Sequence, residues 1–286
     1  MMRQAGRLTY QRRKVMNKVW LTATVLAAAA TVLALVFILG YVIANGARAL
    51  NLDFFSKLPK PVGETGGGMA NAIVGTLIML GLASAIALPI GVLTGVYLSE
   101  YGGGRFNAVI RFVADTMAGV PSIVVGMFAY LVVVLPMGHF SSLAGGIALA
   151  VIMIPIVTRG TEEILRVVPD SLREAALALG VNRWRVIVSV VIPTAAPGLI
   201  TSFMLAIARA SGETAPLLFT SLGSQFWSMS LDQPTASIPV QIFSYAIAPY
   251  DDWHRQAWAG ALTLVAMVAV LTLVARLAFR GFKVQR

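Results

Sequence analysis

Six long apolar runs separated by short polar stretches account for most of the chain. They cover about Val19–Ile43, Ala70–Leu98, Phe112–Leu135, Ser142–Thr158, Pro193–Thr220 and Ala257–Phe279. Each meets or approaches the roughly 20 apolar residues a helix needs to cross a hydrocarbon layer about 30 Å thick. The pattern predicts an all-α, polytopic membrane protein with six transmembrane helices. Pro89, Pro121 and Pro155 fall inside these runs. Such prolines are tolerated only where neighbouring groups satisfy the freed carbonyls, which predicts a packed bundle rather than isolated anchors. Gly75, Gly81, Gly91 and Gly95 line the second run, where small residues allow helices to approach closely. Asp115, near the start of the third run, reads as a helix-start residue stabilised by the dipole. The first run is too long for a signal-peptide core and lacks a clear cleavage site, so it reads as a retained span.

Charge then sets the orientation. With six spans the polar segments alternate between two sides. One side, comprising both termini and the 99–111 and 159–192 loops, holds 17 Lys or Arg; the other holds Arg48, Lys57, Lys60 and Arg255. Arg209 lies inside the fifth run. The excess puts both termini and the 159–192 loop in the cytoplasm of a multi-pass plasma-membrane protein, inner-membrane in a bacterium.

Composition removes other classes. The chain is 58% hydrophobic and 12% charged, against about a quarter charged in soluble domains. Its net charge of +10 sits at the flanks of the spans, with no basic folded segment to hold nucleic acid. There is no cysteine, which excludes disulfides and thiolate metal sites, and His139 and His254 are too far apart in sequence to suggest a metal cluster. No catalytic constellation appears. The five lysines, at 14, 18, 57, 60 and 283, never follow a glycine, so there is no P-loop to hold ATP.

The 159–192 loop is orderly. Pro169-Asp170-Ser171 supplies a helix start, and Ser171 with Glu174 makes a capping box. Gly180 suits the left-handed position just past a helix end. The helix is about eight residues, roughly 12 Å. Leu172, Ala175, Ala176 and Leu179 fall on one narrow face at i, i+3, i+4 and i+7. A helix this short must pack on something, either its own protein's helix ends or a groove in a cytoplasmic partner.

The stretch EAALALG, Glu174 to Gly180, followed after nine residues by VVIP, Val190 to Pro193, resembles the EAA signature of ABC importer permeases. Val190 and Ile192 stand where that pattern has Ile and Leu. The resemblance implies the type I ABC importer permease fold, with this helix as the coupling helix that docks on an ATPase subunit through Leu172, Glu174, Ala175, Ala176, Leu179 and Gly180. The stretches GGGMANAIVGTLIMLGLASAIALPIGVLTGVYLSEY (66–101), DTMAGVPSIVVGMFAY (115–130), VPDSLREAALALG (168–180) and ARASGETAPLLFT (208–220) further resemble the A-type membrane subunits of phosphate ABC importers, the PstA family. The likeness divides the chain into a cytoplasmic basic tail (1–18), a first span with an external segment (19–65) and a permease domain (66–286). It implies a heterodimer with a C-type permease, two ATP-binding subunits that use ATP and magnesium, and an external phosphate-binding protein. The chain itself then holds no cofactor and is no enzyme.

Arg209 and Glu213 are four residues apart, on one helix face. Arg209 lies 16 residues past Pro193, roughly 24 Å along a helix, where ionised groups face a bundle interior or wet cavity. Either they form a structural pair, or Arg209 uses its planar fork on phosphate oxygens while Glu213 accepts a hydrogen bond from protonated phosphate and repels sulfate. Ser211 and Thr214 can donate to the anion or to their own backbone. Arg159 reads as a snorkelling anchor closing the fourth span, and the resemblance makes it a candidate for the path's exit. The resulting expectation is half of the translocation pathway for inorganic phosphate in an ATP-driven importer. A permease for sulfate or molybdate and an ATPase-independent secondary transporter are the alternatives.

Overall fold

The structure, a computed structural model, describes residues 2–278, and the side chains of residues 12–278. Arg280, Lys283, Arg286 and the end of the last predicted span lie outside those residues. In chain order the helices are α1 (Met2–Gly46), α2 (Leu52–Ser56), α3 (Ala70–Val96), α4 (Gly104–Gly119), α5 (Ser122–Ala129), α6 (Leu135–Met137), α7 (Ser142–Arg166), α8 (Asp170–Ala178), α9 (Arg183–Val186), α10 (Ile192–Ser211), α11 (Ala215–Leu218), α12 (Ile238–Ala246) and α13 (Asp251–Ala278). Wider π turns join several of them, at Tyr97–Tyr101, Tyr130–Val134 and Ile187–Val191. There is no strand among the described residues.

Five helical stretches are long and apolar enough to span a membrane, and a bent pair makes a sixth. That pair corrects the third predicted span. The chain turns by 103° between α4 and the α5–α6 stretch. Pro121 pushes its predecessor out of the helical region, and Val120 is accordingly extended, at φ −69 and ψ 132. Asp115 therefore lies in the second half of α4 rather than at a helix start, and the dipole reading of it fails.

The fifth span is also corrected. α10 stops at Ser211, and a separate turn, α11, follows. Pro216 at the start of α11 cannot extend a preceding hydrogen-bond ladder, so Gly212, Glu213 and Thr214 form a break.

Three apolar cores stack along the bundle. The middle one joins α3, α7 and α10 through Met79, Ala83, Ala87, Leu149, Met153, Val157 and Ala206. Another, at the end where α3 begins, gathers Phe54, Met69, Ile238 and Tyr245. The third, at the end carrying α8, gathers Leu165, Val168, Val186, Val191 and Leu199. We call these two the α12 end and the α8 end.

α3 lies directly on α7 because Gly91 and Gly95 leave no side chain between them. A Cβ on Gly95 would stand 2.5 Å from Thr161 Cβ and 2.7 Å from the Thr158 carbonyl oxygen. Gly81, by contrast, faces open space and is not one of the close approaches its spacing suggests. Overpacking a tight helix contact costs about 1–3 kcal/mol. Gly95→Val is therefore expected to lower the thermal midpoint of the detergent-purified protein, and Gly81→Val to leave it unchanged, as read by intrinsic-fluorescence melting.

Candidate functional site

Two groups of polar residues interrupt the apolar bundle, and α8 makes a third feature at its edge.

The first group lines an open cavity of about 700 Å³ bounded by Ala118, Ile156, Leu205, Arg209, Gly212 and Glu213. The α10 break places Glu213 just beyond the helix, with its carboxylate 3.6 Å from an Arg209 Nη. Glu213 is 13% exposed and Arg209 57%. A tight charge-assisted bond is about 2.7–2.9 Å long, so this pair is loose. Among the described residues Glu213 is the one partner of the guanidinium, whose five N–H donors line the cavity. Ser211 Oγ donates to the Ala208 carbonyl at 2.7 Å, which assigns that hydroxyl to its own backbone.

The second group centres on Glu162, whose side chain is fully buried. Arg111 Nε and Arg166 Nη2 both reach its Oε1 at 2.6 Å, and Arg159 Nη1 reaches Oε2 at 2.8 Å. Arg159 also holds Asp115 at 2.9 Å. Arg159 does not close a span: α7 continues seven residues past it. The structure joins Arg159 to Asp115 and Glu162, not to Arg209 and Glu213. Sequence reading missed Glu162 and Arg111. The spacing of Arg159, Glu162 and Arg166, at i, i+3 and i+7, was the available signal.

The third feature is α8. Gly180, at φ +76, takes the left-handed position after the helix as its residue type suggests. The capping box does not form: α8 begins at Asp170 behind Pro169, with no side-chain cap, and Ser171 lies in the first turn. The arrangement of its faces is inverted. Leu179 is 84% exposed, and Leu172, Glu174 and Ala175 also point outward. Ala176 turns in and packs on the core at the α8 end. Arg173, only 16% exposed, turns in as well. It makes a forked pair with Glu100 at 2.8 and 3.2 Å and donates to the Leu165 and Val168 carbonyls. The hydrogen bond to Glu100 raises the Arg173 pKa above its ordinary value.

Residues 87–283 match the family described as the binding-protein-dependent transport system inner membrane component. The phosphate transport system permease protein PstA of Yersinia pestis is 46% identical over 86% of this chain and 83% of its own length. The protein of the same name from Pasteurella multocida is 44% identical over 93% and 95%. The chain belongs to the PstA permease family. A solved inward-facing MetNI methionine ABC transporter superposes at a TM-score of 0.60 over 76% of this permease and 94% of that chain, at 18% identity. At that identity the likeness shows the fold, that of ABC importer permeases. The permease is thus a multi-pass membrane protein that works within an importer, and its relatives are transport subunits rather than enzymes.

Proposed function

We propose that this chain forms half of the translocation pathway for inorganic phosphate in an ATP-driven importer. A C-type permease completes the pathway, two ATP-binding subunits drive it with ATP and magnesium, and an external binding protein supplies the anion. The chain itself holds no cofactor. Both termini and the α8 end face the cytoplasm, in keeping with the 17-to-4 distribution of basic residues.

The observation that carries the reading is the inverted α8. On an unpartnered surface helix, leucines turn in and arginines out. Here Leu172 and Leu179 are presented to the outside while Arg173 turns inward with 16% of its side chain exposed. A nine-residue helix that presents Leu172, Ala175 and, just past its end, Leu179 to the outside fits a groove on another subunit. The chain has no P-loop, so that subunit is the motor. Arg209, Glu213 and Arg159 supply the pathway: the first two line the cavity, and Arg159 stands toward the α8 end of α7, on the route to the cytoplasm.

The test is uptake of labelled phosphate into proteoliposomes. The chain alone is expected to transport nothing, and the assembly with its second permease, ATPase and receptor to transport only with ATP. Transport by the chain alone would establish a secondary transporter instead. Leu179→Asp is expected to release the ATPase subunits during affinity purification while leaving the permease pair together; retention of the ATPase subunits would refute docking through α8.

A further inference from the structure

Glu100 lies at the last turn of the α3 stretch, and Arg173 is not its only partner. The Arg183 guanidinium donates to the Glu100 carbonyl oxygen and stacks on the neighbouring Tyr101 ring, 5.1 Å from its centroid. Glu100 is nearly fully buried. The segments before and after the EAALALG turn are thus both bolted to one end of α3.

The other end of α3 is bolted too. Asn71 Nδ2 donates to the Ser224 carbonyl at 2.6 Å, and the Ile238 N–H donates to Thr76 Oγ1 at 2.9 Å. These bonds hold the segment that links α11 to α12, and α12 itself. Between the two ends one helical stretch runs for 32 residues, Ala70–Tyr101, about 48 Å at the α-helical rise, with Pro89 inside it and its last five residues in a π turn.

A buried forked Arg–carboxylate pair fixes distance and orientation together. Movement of α8 therefore cannot occur without movement of Glu100, and a continuous helix transmits axial displacement to its far end. We propose that α3 is a push-rod that couples α8 to the 221–246 segment at the opposite end of the bundle, with Glu100, Arg173 and Arg183 as its inner joint and Asn71 and Thr76 as its outer one. The proposal rests on the docking of α8 set out above. Neither joint touches the Arg209–Glu213 cavity, so these are positioning residues for transport.

The experiment uses the complete reconstituted transporter carrying Glu100→Gln, Thr76→Val or both. Glu100 and Thr76 are 24 residues apart, about 36 Å along the helix. Three quantities are read: ATPase subunits retained, ATP hydrolysed, and phosphate imported per ATP. Each single variant is expected to keep its ATPase subunits and basal hydrolysis but to import about tenfold less phosphate per ATP, within the 5–150-fold span of ordinary coupling energies.

The double variant decides the matter. Sites this far apart are normally additive. A single rod already disengaged at one end has nothing more to lose at the other, so the double variant is expected to match the singles. Multiplied losses, or an unchanged phosphate-to-ATP ratio, would overturn the proposal. If Glu100→Gln released the ATPase subunits, the joint would merely shape the docking surface: the push-rod would fail while docking stood. Arg173→Lys, which keeps the charge but lacks the fork, and Thr76→Val, close to isosteric, keep the test decisive should Glu100→Gln not fold.

Discussion

Glu162→Ala is expected to leave little folded permease in the membrane. The carboxylate is fully buried and takes donors from three arginines. Its removal leaves Arg111, Arg159 and Arg166 beside one another, with Asp115, on Arg159, the one other carboxylate paired with any of them among the described residues. Breaking a fully buried pair by deleting one partner costs about 3–5 kcal/mol, an upper bound here because Arg111, Arg159 and Arg166 are 32%, 32% and 52% exposed. Here the remaining cations also repel one another. Net stability of a domain is only about 5–15 kcal/mol, so the loss takes much of it. Glu162→Gln keeps the shape and one acceptor oxygen but turns an amide donor toward arginine donors. It is expected to be intermediate. The check is the yield of monodisperse protein by fluorescence-detected size exclusion, with the thermal midpoint of whatever survives. Near-normal yield of Glu162→Ala would show that the arginines find water instead. Arg111→Ala is the milder contrast, because Glu162 retains two cations.

Glu162 also shows why part of the site was not legible in the sequence. Arg159, Glu162 and Arg166 lie on one face of α7, and helical spacing alone pairs them. Arg111 comes from α4, 51 residues away, and no local rule predicts that meeting. The same division holds for the fold. The six apolar runs were legible because a bilayer demands length and apolarity of every span, and both are sequence properties. The turn between α4 and α5 was not. A proline in an apolar run reads equally as a tolerated kink or as a corner, and only the surrounding packing selects the 103° corner. The end of α10 at Ser211 was hidden by the apolar residues that follow the break, which continue the hydropathy of the run without continuing the helix.

The orientation of α8 depends on a longer-range contact. Periodicity identified one small-residue face but not which way it points. Arg173 turns inward because Glu100, 73 residues earlier, is buried where its guanidinium can reach. Once that pair forms, Leu172 and Leu179 have nowhere to go but out. The capping box failed for a local reason: the helix starts two residues earlier than the Ser171 reading requires, with Asp170 in its first turn bonded to Arg173 at 3.1 Å.

Arg209→Ala is expected to reduce ATP-driven phosphate uptake about a hundredfold, from the roughly 3 kcal/mol that hydrogen bonds to a charged group can supply at 1.4 kcal/mol per factor of ten. The receptor and the ATPase are left intact, so hydrolysis continues while import stops. Arg209→Lys is expected to fall between, since it keeps the charge without the planar fork that matches an oxyanion. On the proposed reading, Glu213 selects which anion is accepted. Its carboxylate faces the same cavity and repels any anion that brings no proton. Hydrogen phosphate carries a proton that Glu213 can accept a bond from; sulfate at neutral pH carries none. The comparison belongs on the purified permease pair without receptor, so that receptor selectivity does not enter. Labelled phosphate is bound and sulfate added as competitor. Sulfate is expected to displace little phosphate from the native pair and much of it from Glu213→Gln, because the amide removes the repulsion and adds a donor. If sulfate competed equally well in both, Glu213 would serve only to hold Arg209, and the cavity would select for negative charge without distinguishing one oxyanion from another.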